Sequence, residues 1–140
     1  QQDLPALQAR EVFALPALGI VLVVHVEGSL RREERPERVA HHSQLDEQFL
    51  RIACERCFGK APRFKFIDTM KMEWQRLLRQ GKVVKHDALK LPSCLKRHNL
   101  PEMTNHHALE DAYSCALLLL SQLKLGGNKM TLSDLYLLSR

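Results

Sequence analysis

Long apolar runs are scarce in this sequence. The longest, residues 12–24, is interrupted by Pro16 and Gly19, and it falls short of the ~17–25 residues that a membrane span needs. A secretory leader wants a basic start and small residues at a cleavage site, and neither is clear here. No membrane partner is therefore expected. Cysteine is also sparse, with four residues at positions 54, 57, 94 and 115. Only Cys54 and Cys57 form a C-x-x-C pair, and no second pair stands at zinc-ribbon spacing. The better reading is buried free thiols, which suit a reducing, cytoplasmic compartment. No internal repeat is visible. The chain starts at Gln1 rather than Met, as a processed chain or a fragment would.

What is present is ordinary for a globular domain. Apolar residues make up 45% and charged residues 26% of 140 residues, enough for a single domain with a real core. The net charge of +5 suits an anionic partner such as nucleic acid, and it equally describes a merely basic surface. Nothing in the composition bears on oligomeric state.

Element by element, residues 20–24 (Ile-Val-Leu-Val-Val) predict a strand buried on both faces, of the kind found in α/β sheets. Residues 27–38 carry mixed charge with little to bury and predict an exposed loop; Val39-Ala40 could be a stub of strand. Residues 45–58 have helical spacing, with Leu45, Phe49, Ile52, Ala53, Cys54 and Cys57 on the apolar positions and Gly59 as the stop. Phe64 and Phe66 alternate with charge, as in a short strand. Asp68 and Thr69 can cap a helix running to about Gln80, with Met70, Trp74, Leu77 and Leu78 inward. Pro92 suits the first turn of a short helix that packs Cys94 and Leu95. A long helix over residues 108–123 places Leu109, Ala112, Ala116, Leu119, Leu120 and Leu123 inward and stops at Gly126-Gly127. The tail beyond Met130 can add one more short helix.

Two segments combine histidine with carboxylate near a helix start: His41-His42-Ser43-Gln44-Leu45-Asp46 and His106-His107-Ala108-Leu109-Glu110-Asp111. Each could be solvated polar residues at a helix entrance, where the dipole favours carboxylates. Histidine and carboxylate are also zinc and iron ligands, but no H-E-x-x-H or other closed ligand set is present.

In order and spacing these segments resemble the DEDDh (DnaQ-like) family of 3′-to-5′ exonucleases, within the ribonuclease H-like superfamily. His106, Ala108, Leu109, Asp111 and Ala112 match its third motif, H-x-A-L-x-D-A, which a Leu/Ala-rich helix follows. His41, Asp46, Phe49 and Leu50 match the second, H-N-x-x-F-D-x-x-F-L, with His42 in place of Asn and Leu45 in place of Phe. Ile67-Asp68-Thr69 resembles the I-D-T between them, and Leu100-Pro101 also fits. The resemblance covers residues 39–123. It implies an α/β fold with a truncated or reduced sheet, a single-stranded DNA or RNA 3′ end as partner, and Mg²⁺ or Mn²⁺ as cofactor. By the same resemblance Asp46 and Asp111 are metal-site carboxylates and His106 is the general base. Two cations flanking the scissile phosphate stabilise the attacking and leaving oxygens, and a histidine with near-neutral pKa can take the proton of the attacking water. On a continuous helix His107, not His106, shares a face with Asp111. The assignment therefore requires His106 to precede the helix, with Thr104 or Asn105 as cap; His107 is the fallback. Glu110 is expected to face solvent, and Arg51 or Lys71 to meet nucleic-acid phosphates.

The family's first motif, D-x-E on a strand, has no match. His25-Val26-Glu27 substitutes His for Asp and lies too close to the second motif. The preferred alignment makes residues 20–25 the strand leading into the second motif, residues 26–40 an inserted loop, and the first motif upstream or lost. Two carboxylates alone would hold two cations poorly. The expectation is a weak or inactive exonuclease-like domain, or else a non-catalytic nucleic-acid-binding or interaction domain built on the same fold.

Overall fold

A computed structural model describes residues 38–103, 107–127 and 129–140, and the backbone course of 9–14, 22–26 and 37. The protein is a mixed α/β structure, mostly helical. Strands β1 (Ala9–Ala14), β2 (Leu22–Val26) and β3 (Glu37–Ala40) are followed by helix α1 (Ser43–Phe58) and strand β4 (Phe66–Asp68). Then come α2 (Thr69–Arg79), a 3₁₀ turn (His86–Leu89), α3 (Leu91–Arg97), α4 (Ala108–Leu125) and α5 (Leu132–Leu138). The strands form one sheet in the order β1-β2-β3-β4. The first two pairings are antiparallel, and β3 pairs with β4 in parallel, Val39 opposite Ile67. A parallel pair needs a crossover, and α1 supplies it.

Two expectations are corrected here. The expected loop over residues 27–38 and the insertion over 26–40 both end in β3, where Val39 and Ala40 are wholly buried. Residues 27–36 lie outside the described ones. The strand entering the second motif is thus β3, not residues 20–25, whose described part belongs to β2. The mixed charges of Glu37 and Arg38 hid a strand whose burial comes from Val39 and Ala40.

The helices form where their ends are marked. Gly59 closes α1 at φ 71°, a left-handed conformation that glycine takes without a Cβ penalty, and its N–H donates to the Glu55 carbonyl at 2.9 Å. Thr131 and Asp134 make a reciprocal capping box at the start of α5. Pro92 sits in the first turn of α3.

Val39, Ile67, Met72, Ala112, Cys115, Leu119 and Leu135 pack together between the sheet and helices α2, α4 and α5. A second cluster joins Cys94, Leu95 and Leu118. Several inward assignments fail. Trp74, Leu78, Leu109 and Leu120 are exposed, as are Leu45, Phe49 and Ile52 on α1. The inner face of α1 instead carries Ser43, Asp46 and Leu50, and that of α2 adds Thr69, Met72 and Glu73 to Leu77, which is buried as expected.

Glu73 explains why a charged residue displaces Trp74. Its carboxylate, with no exposed side-chain surface, accepts from Arg76 at 2.7 and 3.1 Å, from Arg97 at 2.8 Å and from His98 Nε2 at 2.8 Å. Gln122 Nε2 adds a longer contact of 3.4 Å. Burial by itself would raise this carboxyl, but the hydrogen bonds from His98, Arg76 and Arg97 outweigh it and hold it well below the usual carboxylate range. The network binds α2, α3 and α4 together.

Two outcomes follow. Leu118→Ala, at a fully buried position, lowers unfolding free energy by about 2–5 kcal/mol in a urea titration, whereas Leu120→Ala, 49% exposed, changes it by less than about 1 kcal/mol. Glu73→Gln costs about 3–5 kcal/mol because it strands two buried-side arginines. Since the folded carboxyl is depressed, the wild-type advantage is present above the ordinary value of 4.5 and shrinks as pH falls below it.

Candidate functional site

The two halves of the β3-α1-β4 unit meet at one carboxylate. Asp68, wholly buried at the end of β4, caps α2 by accepting from the amides of Met70 and Lys71 at 2.9 and 3.2 Å. It also accepts from the amides of His42 and Ser43 at 3.3 and 2.8 Å, and from the Ser43 hydroxyl at 2.7 Å. First-turn amides of two helices therefore converge on one anion, where both dipoles favour negative charge. The convergence needs His42 at φ 72°, ψ 57°, left-handed for a residue that is not glycine. Asparagine, which the resembled motif carries here, accepts that conformation readily.

Asp46 lies one turn into α1 on the same inner face and is 7% exposed. Burial, aided by the charge of Asp68, pushes its carboxyl up to about 7. Asp111 stands half-buried in the first turn of α4, its N–H bonded to the His107 carbonyl at 3.0 Å. One turn further on, the fully buried Cys115 thiol is pushed up to about 12, by burial first and then by the charges of Asp68 and Asp46. Cys115 Sγ lies 3.6 Å from the Thr69 hydroxyl, so this stretch of α4 packs against the start of α2.

Comparison of the chain with protein-family models, curated proteins and solved structures finds no match.

His106, Thr104 and Asn105 lie outside the described residues. Helix α4 begins at Ala108 with His107 as its N-cap, so position 106 precedes the helix in the chain. The His107 side chain makes no cap hydrogen bond. His41, the histidine of the other motif, has a structural task. Its Nε2 pairs with the Leu89 carbonyl at 2.6 Å and its Nδ1 with the Thr69 hydroxyl at 2.9 Å. Burial lowers its pKa, so the neutral ring donates from Nε2 and accepts at Nδ1. Arg51 is engaged by Glu55 at 3.1 Å, while Lys71 sits in the first turn of α2 beside Asp68. Contrary to expectation Glu110 is not a solvated residue: it is half-buried, with Oε2 out of water and unpartnered among the described residues. Sequence reading gave Asp68 its helix cap but missed its second set of donors, which come from residues more than twenty positions away.

Burial and the neighbouring Asp68 make Asp46 the described carboxylate whose negative charge a cation would stabilise most. Asp68 does not fit as a ligand, because five donors already occupy its oxygens. No group of three or more His, Cys, Asp or Glu suited to a metal occurs among the described residues. The described carboxylates therefore do not make a two-cation site.

Ser121, His98 and Glu73 also line up, with Ser121 Oγ 2.7 Å from Nδ1 and Glu73 2.8 Å from Nε2. The order is that of an acyl-transfer triad. Here two arginines already neutralise Glu73, and mid-helix Ser121 has its neighbouring amides committed to the helix, leaving no oxyanion donors. The trio is part of the packing network.

The raised Asp46 carboxyl has a measurable sign. The unfolded group loses its proton near 3.8 and the folded one near 7, so stability falls across that window and is lowest above it. Asp46→Asn should raise unfolding free energy at pH 8 by up to about 4 kcal/mol and leave it nearly unchanged at pH 4. Equal effects at both pH values would show that the Asp46 carboxyl is not raised in the folded protein.

Proposed function

We propose that this chain is an exonuclease-like domain of the DEDDh, ribonuclease H-like type, which takes the 3′ end of single-stranded DNA or RNA and by itself cleaves it poorly. One observation carries the reading. Cys115, a turn after Asp111 on α4, packs its Sγ 3.6 Å from the Thr69 hydroxyl, next to the Asp68 that takes the amides of His42 and Ser43 at the start of α1. The parallel β3-α1-β4 unit supports it, since it sets the second motif at a strand-to-helix junction.

In this reading Asp46 and Asp111 hold a divalent cation and His106 takes the proton of the attacking water. Mg²⁺ or Mn²⁺, when bound, supplies charge that stabilises the oxygens of the phosphodiester. Lys71 and the net positive charge draw the phosphate backbone. A second reading, a non-catalytic module that binds single strands, is favoured by the want of a third ligating group among the described residues. Fold likeness alone does not separate the two.

A labelled single-stranded oligonucleotide separates them. Binding is expected to weaken steeply from 50 to 200 mM salt, by about tenfold or more, with slow or no shortening in Mn²⁺. Slow 3′-to-5′ shortening lost in Asp111→Ala selects the exonuclease reading, and binding without any shortening selects the module. Absence of salt-sensitive binding would remove nucleic acid from both.

A further inference from the structure

A cavity of about 290 Å³ opens among the C-terminal halves of α2 and α4 and the inner face of α5. It is not part of the Asp46–Asp111 corner. Asp111 and Gln122 both lie on α4, eleven residues or about 16 Å apart along the axis. We propose that this cavity binds a nucleoside monophosphate, independently of any metal at Asp46 and Asp111.

The lining has the two chemistries such a ligand needs. Arg76 and Arg79 stand on one side. Arg76 already gives Nε and Nη2 to Glu73, whereas among the described residues Arg79 makes no ion pair. Arg79 is thus the lining guanidinium with its fork uncommitted, and phosphate is an anion that arginine holds well. Met72, Leu125, Met130 and Leu138 supply an apolar wall, and methionine sulfur favours the edge of an aromatic ring. A Cβ at Gly126 would collide with the Met130 side chain, so glycine at this turn lets Met130 close over the cavity.

Three carboxamides complete the lining: Gln75, Gln80 and Gln122. Amides paired with an apolar floor suit the donor-acceptor edge of a nucleobase. Gln122 is 5% exposed, with its Nε2 held by the Thr69 carbonyl at 2.9 Å and its Oε1 left without a partner among the described residues. An unpartnered buried acceptor is unfavourable, and a small turn of the Gln122 amide, which lines the cavity, would offer it to an exocyclic amino group. The cavity's size is at the lower end of small-ligand sites, enough for one nucleotide and not for a strand.

Isothermal titration of the full chain with adenosine 5′-monophosphate in EDTA tests this. Saturable binding is expected. Adenosine alone and inorganic phosphate alone should each bind about tenfold or more weakly, since each keeps only one set of contacts. Arg79→Ala, at an exposed position that spares the fold, should weaken the nucleotide about tenfold, with an unchanged thermal midpoint. Gln122→Leu should do the same if its melt shows a folded protein. Asp111→Asn should leave the affinity as it was. No saturable binding, equal binding of phosphate alone, or an affinity indifferent to Arg79→Ala would overturn the proposal. Loss of binding in Asp111→Asn would place the nucleotide at the other site and overturn it as well.

Discussion

The buried carboxylate of Asp68 is the interaction on which the arrangement depends. A strand end, two helix starts and the C-terminal tail all report to it: its oxygens take the amides of α1 and α2, and its own N–H donates to the Ser139 hydroxyl at 2.8 Å. Charged hydrogen bonds are about twice as strong as neutral ones, and the donors are fixed backbone groups that need no further ordering. Asp68 thereby sets how far α1 can turn from the sheet, and so where Asp46 sits.

That placement has an electrostatic cost. A carboxylate satisfied five times over stays in the interior, and the next carboxylate, Asp46, is held near it with its proton affinity raised. A fold selected only for stability would neutralise one of the pair. A carboxyl raised by burial beside a second buried carboxylate marks a candidate site for function, and the proposed function joins that observation to the resemblance of the motifs.

The two buried carboxylates of α2's neighbourhood solve the same problem differently. Glu73 is offset by arginines and a histidine and locks three helices together. Asp68 is offset by amides and locks two junctions. Between them α2 is anchored at both ends of its first two turns, and Trp74 and Leu78 are left on its exposed side.

Local marks in the sequence determined the succession of elements. Asp68 before Thr69, Gly59 after Phe58, Pro92 and the Gly126-Gly127 pair each act on backbone within a few residues, so helix positions were legible, as was the strand stub at Val39-Ala40. Leu77, Cys94, Leu95, Ala112 and Leu119 turn inward as their spacing predicts, but the rest of each inward face was decided by tertiary structure. Trp74, Leu109 and Leu120 have the apolar character of core residues yet are exposed, while Glu73, Asp68 and Gln122 are buried. The reason is that burying a charge or an amide is tolerated only when partners satisfy it. Arg76 for Glu73 and the Met70 and Lys71 amides for Asp68 are local, but the remaining partners stand 24 to 49 positions away for Glu73 and 25 to 26 for Asp68, beyond the reach of any local pattern. Spacing found Asp46 and Asp111 near the starts of α1 and α4, but the neighbour that shifts Asp46, Asp68, stands at the end of β4 and is brought beside α1 by the parallel pairing of β3 with β4.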